Sequence, residues 1–153
     1  MRASFLLALM VWLAAAWPPS TAALAELRVT GGIAGAEQRL VVFEDGLARV
    51  ELSARGAAYE TLCARLEEGK LGEIRRALEA AGFEYLQREY VPARPVYDGY
   101  AYSVAYRGAT VRAVDPLEDA APPGLRAVIR LLQGVLQSVR AGGRGCGEFL
   151  PGR

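Results

Sequence analysis

The feature that most constrains the fold is a periodic apolar stripe near the C-terminus. Leu125, Val128, Ile129, Leu132, Val135, Leu136 and Val139 recur at intervals of three and four, with Arg126, Arg130, Gln133 and Gln137 between them. That spacing puts the apolar side chains on one face of an α-helix, and so wide a face is stable in water only when another layer covers it. Pro122-Pro123 stands where a helix start tolerates missing N–H donors, and Gly142-Gly143 supplies the stop. Gly134 lies inside the helix at some cost in propensity.

The covering layer reads as a sheet. Leu27 to Thr30 is a short candidate strand, and Glu37 to Phe43 and Leu47 to Leu52 flank Asp45-Gly46, a strong hairpin signal. Pairing Glu44 with Leu47 places Val41, Phe43, Ala48, Val50 and Leu52 on the core face, with Leu40, Val42, Arg49 and Glu51 outside. A second hairpin runs from Tyr100 to Arg107 and from Ala109 to Val114. Its pattern sets Tyr100, Tyr102, Val104 and Tyr106 on one face with Ala109, Val111 and Ala113, so that large residues oppose small ones beneath a helix.

Between the hairpins, Leu71, Ile74, Leu78 and Ala81 form a second helical stripe, which predicts a helix from about Glu67 to Ala81 ended by Gly82. Tyr59 to Leu66 fits either period. Leu62, Ala64 and Leu66 alternate as in a strand, whereas Tyr59, Leu62, Cys63 and Leu66 fit a helix. Pro92 and Pro95 keep Phe83 to Tyr97 irregular, and Asp115 to Ala121 reads as an acidic loop. The order predicts an α+β domain, an antiparallel β-sheet of two hairpins plus flanking strands packed against two α-helices.

The first 25 residues read as a signal peptide. Arg2 gives a short positive segment, Phe5 to Trp17 is an unbroken apolar run of 13 residues, and Ala23-Leu24-Ala25 has the small-x-small pattern of a cleavage site. The run falls short of the roughly 20 residues that span a bilayer, and Pro18-Pro19 ends it, so no stable membrane anchor is expected after cleavage. Cleavage there starts the mature protein at Glu26, in a secreted or periplasmic setting. Residues 26–140 then form a single domain and residues 141–153 a glycine-rich tail.

Composition narrows the function. Arg2 is the only charged residue of the leader, so the remainder balances 17 acidic residues with as many basic ones, and no basic field exists for nucleic acid. Both tryptophans and both methionines lie in the leader, the chain has no Asn, and Lys70 is its one lysine. Histidine is absent, which removes the commonest general base, the usual zinc ligand and every Ser-His or Cys-His nucleophile pair. Ser103 has neither nucleophile-elbow glycines nor a histidine to activate it. The expectation is a non-enzymatic monomer without cofactor or metal.

Cys63 and Cys146 are the only cysteines, and in an exported chain an even count suggests a disulfide. Such a bond would staple the tail Ala141-Gly142-Gly143-Arg144-Gly145-Cys146-Gly147; the alternative is two free thiols. Gly31-Gly32-Ile33-Ala34-Gly35 is the most unusual local string. Its glycines suit a tight connection between strands or a backbone nest for a carboxylate or carbonyl, but it lacks the Lys and Ser/Thr of a phosphate loop. Tyr97, in the loop that carries Pro92 and Pro95, is the tyrosine best placed for surface contact, while Tyr100, Tyr102 and Tyr106 read as core. Asp115, Glu118 and Asp119 lack EF-hand spacing and read as a solvated loop before a helix.

The run Val29-Thr30-Gly31-Gly32-Ile33-Ala34-Gly35, a hydrophobic strand and Asp45-Gly46 together resemble the opening of the emfourin-like family, inhibitors of protealysin and related thermolysin-like metallopeptidases. Arg65-Leu66, Leu71-Gly72-Glu73-Ile74 and Ala80-Ala81-Gly82-Phe83 are similar to that family's first helix and its exit. The tyrosine-rich hairpin and Ala121-Pro122-Pro123-Gly124-Leu125 are similar to its closing section. The resemblance runs from Leu27 to Val139, and it implies a strand for Tyr59 to Leu66. It also implies an exported metallopeptidase as partner, contacted through Thr30, Gly31, Gly32, Ile33, Ala34 and Gly35; Tyr97 joins that candidate surface by its own place in the proline-containing loop, not through the resemblance. The rival expectation is an exported structural or envelope-associated protein without a peptidase target, in which the glycine string is only a turn.

Overall fold

The computed structural model describes residues 22–32 and 35–149; the apolar run Phe5 to Trp17, on which the expectation of a signal peptide rests, lies outside them. Seven strands form one sheet: β1 (Ala23–Gly31), β2 (Ala36–Phe43), β3 (Leu47–Ala54), β4 (Ala57–Arg65), β5 (Glu89–Tyr90), β6 (Tyr100–Tyr106) and β7 (Ala109–Val114). Their spatial order is β4-β3-β2-β1-β6-β7-β5, and every pairing is antiparallel except the two-residue β5–β7 contact. The helices are α1 (Glu68–Ala81), a short α2 (Leu117–Ala120) and α3 (Pro123–Gly142). This is the expected α+β class. The segment with two possible periods is a strand, β4, and the acidic loop contains one turn of helix, α2. β1 begins at Ala23, three residues before Glu26, the expected start of the domain.

β1 is the central strand, bonded to β2 on one side and β6 on the other. Leu27 pairs with Leu40 and Val104, and all three are fully buried. Above them lies α3, whose buried residues are Leu125, Val128, Ile129, Leu132, Val135, Leu136 and Val139, the same seven that set the sequence period. Leu71, Ile74 and Leu78 of α1 complete the layer. Burying a Leu, Ile or Val side chain contributes about 1.5–3 kcal/mol, so α3 is held to the sheet mainly by this stripe.

The β6–β7 register follows the expectation: Tyr106, Val104 and Tyr102 pair with Ala109, Val111 and Ala113. Arg107 and Gly108 both adopt positive φ, as a two-residue turn matched to strand twist requires. The β2–β3 register does not follow it. Val42 pairs with Ala48 and Leu40 with Val50, which turns Leu40 and Val42 toward the helices and Val41 and Phe43 to the opposite face. The connection is three residues, Glu44 to Gly46, not two. Gly46 takes φ 87° and donates its N–H to the Phe43 carbonyl at 3.0 Å, while the Asp45 carboxylate accepts the Leu47 N–H. A glycine with positive φ at the third loop position fixes this longer turn and so shifts the pairing by one residue.

The face away from the helices carries a lattice of ion pairs. Arg39 clasps Glu26 with Nε and Nη2 at 2.8 and 2.9 Å and reaches Glu51 at 3.3 Å. Arg28 bridges Glu26 and Glu37, Arg49 pairs with Glu51, and Arg112 pairs with Glu89. Exposed pairs singly contribute little, but the planar guanidinium of Arg39 makes a bidentate bond of fixed geometry at the centre of a network. Its hydrogen bonds and charge hold the Glu26 carboxyl below its ordinary range, against the smaller opposing effect of burial.

The glycine-rich tail folds back onto the sheet. After α3 the chain turns onto the edge strand β4, where Cys63 and Arg144 exchange backbone hydrogen bonds of 2.7 and 2.9 Å. Cys63 and Cys146 form a disulfide that closes a loop of 83 positions, and a short 3₁₀ turn, Cys146–Phe149, follows. The bond thus covers part of a sheet edge as well as tying down the chain end.

Two outcomes are expected. The double variant Cys63→Ser/Cys146→Ser should lose about 2–4 kcal/mol, read calorimetrically as a fall in Tm of about 10 °C. The Glu26 effect has a defined sign: a carboxyl with depressed pKa in the folded state stabilises above its unfolded value and loses that contribution as pH falls through the folded one. Stability measured by urea titration should therefore decline below about pH 4.5. Glu26→Gln should flatten that decline.

Candidate functional site

The β1–β2 connection and the loop before β6 meet at one corner of the sheet. Gly31 ends β1 and pairs with Ala36 on one side and Tyr100 on the other. Gly31, Gly32 and Gly35 all have positive φ, at 131°, 79° and 57°, and Gly35 donates its N–H to the Gly32 carbonyl at 3.2 Å. The glycine string is therefore a strand-reversing turn. Ile33 and Ala34 fall outside the described residues.

Beside this turn lies a second one, in which the Gly99 N–H bonds to the Val96 carbonyl at 3.0 Å. A Cβ at Gly31 would stand 2.6 Å from the Gly99 carbonyl oxygen, closer than any real Cβ approaches such an atom. The two backbones are thus in direct contact because residue 31 has no side chain. At Gly32 the neighbour is the Tyr100 ring, 3.6 to 3.9 Å from the Cβ position.

Asp115 anchors the corner. Its Oδ2 accepts the Tyr100 N–H at 3.1 Å and the Tyr102 hydroxyl at 3.4 Å, and its own N–H donates to the Tyr100 carbonyl at 2.9 Å. Burial and the Asp115 charge push the Tyr102 phenol above its ordinary pKa, so it remains a neutral donor across the physiological range. The carboxylate is committed to holding the start of β6 in place.

This support presents apolar groups to solvent. Tyr97 is fully exposed, Val96 and Val91 are 55% and 54% exposed, and Tyr100 is 44% exposed. Pro92 is buried and ties the loop to the domain. Of the residues expected to contact a partner, Thr30, Gly31, Gly32 and Gly35 lie together, and the turn that carries Tyr97 lies against Gly31. Tyr100 departs from its expected core position. The alternation of the hairpin is real, but its cross-strand neighbour is Gly31, which offers no side chain to bury it. Val96 and Asp115 join the site through pairing of β1 with β6, which neither local motif reveals.

A cleft of about 210 Å³ lies at the other end of β6, lined by Leu78, Glu79, Phe83, Glu84, Tyr106 and Arg107 among others. Its Glu79 pairs with Arg107 at 3.6 Å. Among the described residues no group of three or more metal-ligating side chains converges, and no helix is long and apolar enough to cross a membrane. Glu118, of the acidic segment, pairs with Arg130 on α3.

No protein-family model matches the sequence, and no curated protein matches it. The disulfide fits an oxidising compartment.

The close approach at Gly31 makes a direct test of this geometry. Gly31→Ala should cost about 2 kcal/mol or more in a denaturant titration, from the clash with Gly99 and the strained φ. It should also speed amide exchange at Gly99, whose turn would be displaced.

Proposed function

We propose that this chain is an extracytoplasmic, non-enzymatic binding module that inhibits a thermolysin-like metallopeptidase. The observation that carries the reading is the apolar corner. Three positive-φ glycines lie at the β1–β2 connection, and the first of them is braced against a second turn that holds Tyr97 and Val96 in solvent beside Tyr100. Exposed tyrosine with little side-chain entropy to lose is a good anchor for a protein partner, and a narrow glycine turn brings bare backbone beside it. The resemblance to emfourin-like inhibitors supplies the partner class, and the histidine-free sequence leaves recognition as the better-supported role.

The inhibition is stoichiometric and steric in this reading. The corner enters the substrate cleft and offers backbone carbonyls and N–H groups as an extended peptide would. The Asp115 contacts lower the ordering cost on binding, since they hold the start of β6 before the partner arrives.

Titration of a thermolysin-like enzyme with the purified domain checks the proposal. The expected result is inhibition at or below micromolar concentration. Tyr97→Ala should raise the inhibition constant about tenfold. Its folding stability should stay within about 0.5 kcal/mol of the parent, since the side chain is fully exposed. Absence of inhibition at micromolar concentration, or potency unaffected by Tyr97→Ala and by a bulky residue at Gly32, would refute it.

A further inference from the structure

We infer that the leader is removed between Ala22 and Ala23, three residues upstream of the bond marked by Ala23-Leu24-Ala25. The inference rests on the reading of residues 1–25 as an exported leader and concerns where that leader ends. Among the small-x-small triplets after the apolar run are Ser20-Thr21-Ala22 and Ala23-Leu24-Ala25, and both present a small residue at the first and third positions before a cut. Sequence pattern does not separate them. The fold does.

β1 begins at Ala23 and is the central strand of the sheet. Leu24 is 7% exposed and Ala25 is 2% exposed, and both belong to the same core cluster as Leu27 and Leu40. Ala25 pairs with Val42 on one side and Tyr106 on the other, and Ala23 pairs with Phe43. A chain that starts at Glu26 would lose these pairings on both sides of the central strand, and a void would replace Leu24 in the core. Glu26 would also become a chain terminus at the centre of the ion-pair lattice, with a new positive charge beside Arg39.

A cut after Ala22 has none of these costs. Ala22 is exposed and precedes the strand, and the bond lost with it is the one its carbonyl accepts from the Glu44 N–H at 2.9 Å, at a surface turn. Water adds across the Ala22–Ala23 peptide bond, so the leader departs with the Ala22 carboxylate and the domain keeps the Ala23 α-ammonium. The cleaved product then contains the whole of β1. Signal peptidase meets an unfolded segment, so burial does not block the downstream bond; the upstream cut is the one whose product can complete this sheet.

The experiment is export of the full 153-residue chain from a bacterial host, followed by N-terminal sequencing and intact mass of the product. The expected N-terminus is Ala23. Ala22→Leu, at an exposed position that the fold tolerates, should reduce the Ala23-starting product at least about tenfold, because a large residue before the cut is rejected. A product starting at Glu26 or Leu24, or an unchanged pattern in Ala22→Leu, overturns the assignment while leaving the leader reading intact. A product that keeps Trp12 and Trp17 overturns both.

Discussion

The pairing of β1 on both its edges is the interaction on which the rest of this structure depends. β1 joins the meander that continues through β2, β3 and β4 to the β6–β7 hairpin, whose first strand starts only at Tyr100. Without it the meander and the tyrosine hairpin would be two small sheets, each too narrow to cover the apolar face of α3. With it, Leu27 is enclosed by Leu40, Val104 and the helical layer, and the sheet is wide enough to bury α1 and α3 together. The same pairing creates the apolar corner, since Gly31 meets Tyr100 only because β1 and β6 are neighbours.

The helices and one hairpin were legible in the sequence because each carries its own period or turn. The stripe from Leu125 to Val139 admits one helical face, and Arg107-Gly108 admits one two-residue turn, so both elements were set by residues close together in the chain. The β2–β3 register was not legible for a definite reason. Leu40, Val41, Val42 and Phe43 are all apolar, so either face of β2 is an acceptable core face, and the choice passes to the φ angle of Gly46 and the side-chain acceptor of Asp45. Thr30 to Gly35 stood out by composition, but the placement of Val96, Tyr97 and Asp115 beside them follows from long-range strand pairing. Tyr100 was misjudged because alternation reports which side a residue faces and says nothing of what lies opposite.

The two faces of the sheet divide the work of the molecule. The helix-covered face is almost wholly apolar and supplies the stabilising burial. The opposite face is held by arginine and glutamate, and the near absence of lysine suits it, because a guanidinium can bond two carboxylates in fixed directions where an ammonium cannot. Arg39 does this between Glu26 and Glu51, linking three adjacent strands. The corner at Gly31 sits where the sheet ends, so the lattice can stiffen the strands beneath it without occupying the surface it exposes.

The attachment of the tail to β4 has a mechanical consequence. A pull on the C-terminus would ordinarily unwind the last turns of α3 one hydrogen bond at a time. Here Cys146 passes the load sideways to Cys63, so the force arrives at the sheet edge through a covalent link and α3 lies outside the loaded path. Tension applied there would therefore bypass the helix and bear on β4 at the edge of the sheet.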